Sequence, residues 1–187
     1  MGYNKLNREE KWIILGVPIL FLIGSFFHFL YELSGKNSIV ALFAPVNESV
    51  WEHIKMLVVP LVLWWFIYYL VRGKQLNIDK NKWFTSALIS LLVAIISIPL
   101  MFYFYTGALG FESVIIDILL LFLALLFGQL TGLHYYRYGD GINYFASIFF
   151  IVIIICVFMY FTYNTPHLPI FMDSNTGQYG VLIIETE

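Results

Sequence analysis

Charge is what this chain of 187 residues has least of: Asp, Glu, Lys and Arg make up 12% of it, against 60% hydrophobic residues. Soluble domains carry about a quarter charged residues. The deficit, with a mean hydropathy of +0.82, excludes a water-soluble globule and points to an integral membrane protein. Cysteine is nearly absent as well. The single Cys156 excludes an intrachain disulfide and, lying in an apolar run, reads as a small core or lipid-facing side chain. A glycine-rich phosphate loop and an extended basic surface are both missing, so neither nucleotide nor nucleic-acid binding has support. His-Glu-x-x-His and Cys/His metal spacings are missing too. The first apolar run exceeds the ~7 to 15 residues of a signal h-region and is not closed by a small-x-small site, which predicts a retained helix. The opening Met-Gly-Tyr-Asn-Lys-Leu lacks the Ser or Thr that myristoylation favours at its sixth position.

What the chain has instead is long apolar runs. About 20 apolar residues are needed to cross a ~30 Å hydrocarbon core. Five segments qualify: 12–33, 50–71, 83–105, 111–134 and 142–163. Backbone groups in lipid must be satisfied internally, so these predict an all-α integral membrane protein with a five-helix transmembrane domain over 1–163 and a tail over 164–187. The apolar stretch Ile39 to Ala44 is too short to span and reads as interfacial or re-entrant. Gly marks turns at Thr106 to Gly110 and Tyr138 to Gly141.

Lys and Arg accumulate on the cytoplasmic side of membrane proteins. Eight of the ten, namely Lys5, Arg8, Lys11, Arg72, Lys74, Lys80, Lys82 and Arg137, fall on one side of a five-helix alternation; Lys36 and Lys55 fall on the other. The N-terminus is therefore expected inside and the C-terminus outside, in a multi-pass protein of the cell membrane.

Polar chemistry concentrates in Ala44-Pro-Val-Asn-Glu-Ser-Val-Trp-Glu-His-Ile-Lys55, at the mouth of the second span. Pro45 and Ser49-x-x-Glu52 fit helix-start and capping-box chemistry. At about 100° per residue, Glu48, Glu52 and Lys55 fall in one stripe where the lysine can neutralise a carboxylate, and His53 projects to another sector. His28 and Glu32 end the first span, Asp117 lies about two turns into the fourth, and Tyr103, Tyr105 and His167 fall at the same level. Ionisable residues at membrane depth are costly, and they usually face a bundle interior or a wet cavity and mark function.

The remaining features read as scaffold. Pro18, Pro60 and Pro99 lie mid-helix, Gly128-Gln-Leu-Thr-Gly132 has small-xxx-small spacing, and Trp12, Trp51, Trp83 and Tyr135-Tyr136 read as interface anchors. In the tail, Leu168 to Met172 and Gln178 to Ile184 flank Asp173-Ser-Asn-Thr-Gly177, the pattern of a hairpin folded over the outer helix ends. Such a ribbon brings His167 or Asp173 over the polar cluster, or else serves as a structural lid or a dimerisation element.

Pro45-Val-Asn-Glu-Ser-Val-Trp-Glu-His-Ile-Lys55, with His28 and Tyr31 upstream and Pro169-x-Phe171-x-Asp173 followed by Tyr179-Gly180, resembles a family of small uncharacterised bacterial multi-pass membrane proteins. The resemblance implies the fold and carries no activity. A looser similarity is to membrane zinc hydrolases of the alkaline ceramidase and progestin/adiponectin-receptor type, whose paired His-x-x-x-His and seven helices this chain lacks.

The leading functional expectation is a membrane-embedded enzyme acting at the outer leaflet on a lipid or lipid-linked substrate. Glu48, Glu52, His53 and Asp117 are its candidate catalytic residues. His28, His53 and His167 are candidate ligands for a divalent metal such as zinc, which is commonly held catalytically by three side chains with one open position. A small transporter, a solute-binding membrane protein and a non-catalytic accessory subunit are the alternatives, and homo-oligomers fit any of them.

Overall fold

Four of the helices begin where a short polar side chain takes up free N–H groups of the first turn. Asn37, Ser49, Asp79 and Asn143 all accept such bonds. In a computed structural model, which describes residues 6–181, the helices are α1 (Arg8–Leu33), α2 (Ser38–Ala41), α3 (Val50–Arg72), α4 (Lys80–Leu109), α5 (Val114–Tyr138) and α6 (Tyr144–Tyr163), followed by a 3-10 turn at Pro169–Phe171. Lys5 and residues 182–184 of the expected second tail arm lie outside the described residues. Five of the helices are long and apolar enough to cross a membrane.

The helix α3 is the hub: 56% of its apolar window is buried inside the bundle, against 22% for α6. It packs on α1, α4, α6 and the 3-10 turn, while α5 closes the bundle between α4 and α1. The most extensive pairing is α4 with α5, and the small-xxx-small pattern lies in it. A methyl group at Gly128 would sit 2.6 Å from the Ser90 carbonyl oxygen, and one at Gly132 would sit 2.9 Å from the Ser90 Cβ. Ser86, Ser90 and Ala94 supply the matching small face of α4, so two backbones approach closely in the way that apolar surroundings reward. Gly128→Val should therefore lower the midpoint of thermal unfolding in detergent, at a cost of about 1–3 kcal/mol or more for overpacking. An unchanged midpoint would show that α4 and α5 can part freely.

Three expectations are corrected. The turn expected at Thr106 to Gly110 is helical up to Leu109, because a helix interior tolerates Gly107, and the helix ends only at Gly110, at a φ of 74°. Trp83 is not an interface anchor: it is fully buried and donates its indole N–H to the Trp65 carbonyl at 3.0 Å. Trp51 stacks on Phe158, with ring centroids 4.2 Å apart. The tail has a turn but no strand among the described residues; its first arm is the 3-10 turn, and one antiparallel bridge joins Met172 to Tyr179. Pro166 and Pro169 lack the N–H that a ladder would need.

Candidate functional site

The polar segment divides at Ser49. Its hydroxyl accepts the Glu52 N–H at 3.2 Å and opens α3, so residues from Val50 onward follow helical spacing and Glu48 does not. Glu52 and Lys55, one turn apart, meet as expected: Lys55 Nζ lies 2.7 Å from Glu52 Oε2. Both side chains are buried, and the ammonium also donates to the Ala41 carbonyl and the Thr162 hydroxyl. The Glu52 carboxylate reaches back to the Val46 N–H at 3.0 Å rather than to Ser49, so the capping box is not closed reciprocally. This group ties α2, α3 and α6 together.

Glu48, freed from the helical stripe, turns the other way. Its carboxylate lies 3.2 Å from His53 Nε2 and 3.9 Å from His28 Nε2. His28 arrives from α1, where Gly24 one turn earlier allows close approach: a methyl there would stand 2.8 Å from the Met56 carbonyl of α3. The two imidazole centroids are 5.4 Å apart. His28, Glu48 and His53 thus offer ligand atoms within 4.8 Å of one another, each half-buried. Two atoms bound about 2.1 Å from one tetrahedral ion stand about 3.4 Å apart, so these three residues can hold one divalent ion.

The other expected site residues lie elsewhere. Asp117 accepts the Tyr105 hydroxyl at 2.7 Å, and that oxygen accepts the Ser113 N–H at 3.2 Å, which braces the start of α5. His167 stacks on Tyr179 at 4.6 Å. Among the described residues, the cluster of metal-competent atoms includes neither of them, nor Glu52.

Asp173, of the two tail residues considered for this position, is the one at the cluster. Its Oδ2 accepts the Glu48 N–H at 2.8 Å, and Ser174 donates its hydroxyl to the Glu48 carbonyl at 3.3 Å. Asp173 Oδ1 takes the N–H groups of Asn175 and Thr176 and the Thr176 hydroxyl. Asn47 donates to the Gly180 carbonyl at 2.8 Å.

Hydrogen bonding from His53 is the largest influence on the Glu48 carboxyl and holds it below the ordinary carboxylate range, against burial and the Asp173 charge. Burial pushes the Asp173 carboxyl up, but the N–H groups and hydroxyl it accepts more than offset this and hold it low. A depressed acid contributes stability that is present above its unfolded value, about 3.9 for Asp, and lost as pH falls through the folded one. Hydrogen exchange should therefore find residues 172–180 equally protected from pH 8 to pH 5, with protection falling only below about pH 4. Loss of protection already between pH 7 and pH 5 would contradict this anchoring.

Fold and site together define a multi-pass α-helical membrane protein whose spans enclose a two-histidine, one-glutamate cluster at one end of the bundle. The chain belongs to the family of unknown function DUF6512, which matches residues 1–181. No curated protein and no solved structure matches it.

Proposed function

We propose that this protein is a membrane-embedded, metal-dependent enzyme acting at the outer leaflet of the cell membrane on a lipid or lipid-linked substrate, with its N-terminus inside. The observation that carries the reading is the state of the His53 ring. Its Nδ1 lies 3.0 Å from the Ser49 carbonyl, an oxygen that can only accept, so Nδ1 bears the proton. Nε2 is then the ring atom turned to a carboxylate at 3.2 Å, a place that either a second ring proton or a shared metal ion fills. Metal-bound histidines typically donate their other N–H to a carbonyl in this manner. His28 supports the same reading. At 3.9 Å from the carboxylate its Nε2 is beyond hydrogen-bond range, which ends near ~3.5 Å, yet it is turned to it as a second ligand of a shared ion would be.

In this reading His28, Glu48 and His53 are the ligands, and a divalent ion bound by them would polarise a substrate oxygen or activate water. Glu52 acts structurally through Lys55, and Asp117 braces the start of α5 through Tyr105. The outer-leaflet assignment follows the distribution of Lys and Arg. The substrate class follows from depth: the ligands half-buried at the end of the spans meet a reacting group presented by the bilayer surface. Protein purified without chelator should carry about one transition-metal ion per chain and should convert a component of a membrane lipid extract only when metal-loaded, as read by mass spectrometry. Full activity without any bound transition metal would remove the metal reading; a lipid extract unchanged by metal-loaded protein would remove the enzyme.

A further inference from the structure

Glu48 differs from its two companions in how it is held. His28 and His53 project from long helices, which fix their backbones through repeated hydrogen bonds. Glu48 precedes α3 and has no helical ladder around it. Both of its peptide groups are instead gripped by the tail: its N–H by the Asp173 carboxylate at 2.8 Å and its carbonyl by the Ser174 hydroxyl at 3.3 Å. These partners are 125 and 126 residues away along the chain.

The gripping turn is itself rigidly made. Asp173 is 2% exposed, and its second carboxylate oxygen collects the three donors of its own turn. The turn is closed by the Asp173 N–H to the Gln178 carbonyl and by the Gly177 N–H to the Asp173 carbonyl, both at 2.9 Å. Gly177 sits at a φ of 70°, which a glycine adopts without strain. Behind it, Phe171 packs on Trp51 with ring centroids 4.6 Å apart, which seats the tail on α3 one turn from the cluster. One oxygen of Asp173 thus serves its own turn, and the other is turned to a single distant backbone N–H, that of Glu48.

We propose that Asp173 is a positioning residue for the metal centre: it fixes the Glu48 backbone so that the carboxylate reaches between His28 and His53, which makes the 172–180 turn part of the site. This rests on the metal-centre reading above. Asp173 never touches the ion and acts only through Glu48. Its removal leaves the two histidines in place and frees the third ligand to leave them.

The test uses the full chain in detergent, with Co²⁺ alone as the probe, reading both the affinity and the d–d absorption of the bound ion. Asp173→Ala should weaken Co²⁺ binding about 10- to 100-fold, as loss of outer-sphere partners does, and should change the absorption band. In a Glu48→Ala background, where only the histidines remain, the same substitution should change the affinity less than about 2-fold. Should Asp173→Ala not fold, Asp173→Asn, which retains an acceptor and the shape, is compared in the two backgrounds in the same way. Equal losses in both backgrounds would mean that the tail only stabilises the fold and would overturn the proposal; so would no loss in either. A wild-type chain that binds no Co²⁺ at all would instead refute the metal centre itself, and the proposal with it.

Discussion

Lys55→Met should destabilise the protein by about 3–5 kcal/mol, a large share of the about 5–15 kcal/mol that holds an ordinary domain folded. The ammonium is 1% exposed and has three oxygen partners: Glu52 at 2.7 Å, the Ala41 carbonyl at 3.0 Å and the Thr162 hydroxyl at 2.6 Å. Its donors are therefore all used, and none is available for chemistry. Removing it strands the Glu52 carboxylate, 3% exposed, with only the Val46 N–H to face it. An uncompensated buried charge is the costly outcome, whereas replacing both members by apolar groups of similar volume is often neutral. The double variant Lys55→Met with Glu52→Leu should therefore recover most of the loss in a denaturant or thermal series. A double variant as unstable as the sum of the two single ones would show that the pair does not act as a unit.

Glu48→Gln should weaken metal binding strongly while leaving the bundle folded. The amide keeps the size of the side chain but loses the charge that two histidine nitrogens face at 3.2 and 3.9 Å. His28→Ala and His53→Ala remove one nitrogen ligand each. All three variants should lose more than about 100-fold in Zn²⁺ or Co²⁺ affinity, beyond what an outer-sphere partner costs. Their thermal midpoints without metal should stay close to wild type, because each side chain is about a third exposed and none belongs to the apolar core. Glu52→Gln should behave in the opposite way, losing stability while any folded fraction still binds the ion. If Glu48→Gln unfolds and Glu52→Gln merely loses the ion, the assignment of the two glutamates is reversed.

The opposite behaviour expected of these neighbours marks where sequence reasoning stopped. Helical spacing put Glu48, Glu52 and Lys55 on one stripe, and for Glu52 and Lys55 that spacing is what the bundle uses. Glu48 escaped it because α3 starts at Val50, as the expected span did, and a residue two positions before that start does not follow helical spacing. His28 and His53 had no diagnostic spacing, since 25 residues and a change of direction separate them. The local signal that was present, Gly24 one turn before His28, acquires meaning only once the Met56 carbonyl is known to lie against it. His167 looked equivalent to the other histidines until the tail's proline-rich first arm folded as a 3-10 turn and left its ring on Tyr179.

By itself the sequence determined the class and the parts. Runs of apolar residues long enough to cross a bilayer are a property of composition and length, and lipid leaves the backbone no alternative to helix. The cap at Ser49, the small face at Gly128 and Gly132, and the turn at Asp173 to Gly177 are local chemistry, legible for the same reason. Tertiary structure alone decided which polar groups meet. Hydrophobic burial drives every span alike and does not rank their faces, so the pairings depend on close packing of backbones and on hydrogen bonds between residues as distant as Glu48 and Asp173. That packing divided one dense polar segment into a buried brace, Glu52 with Lys55, and a half-open cluster, Glu48 with His28 and His53.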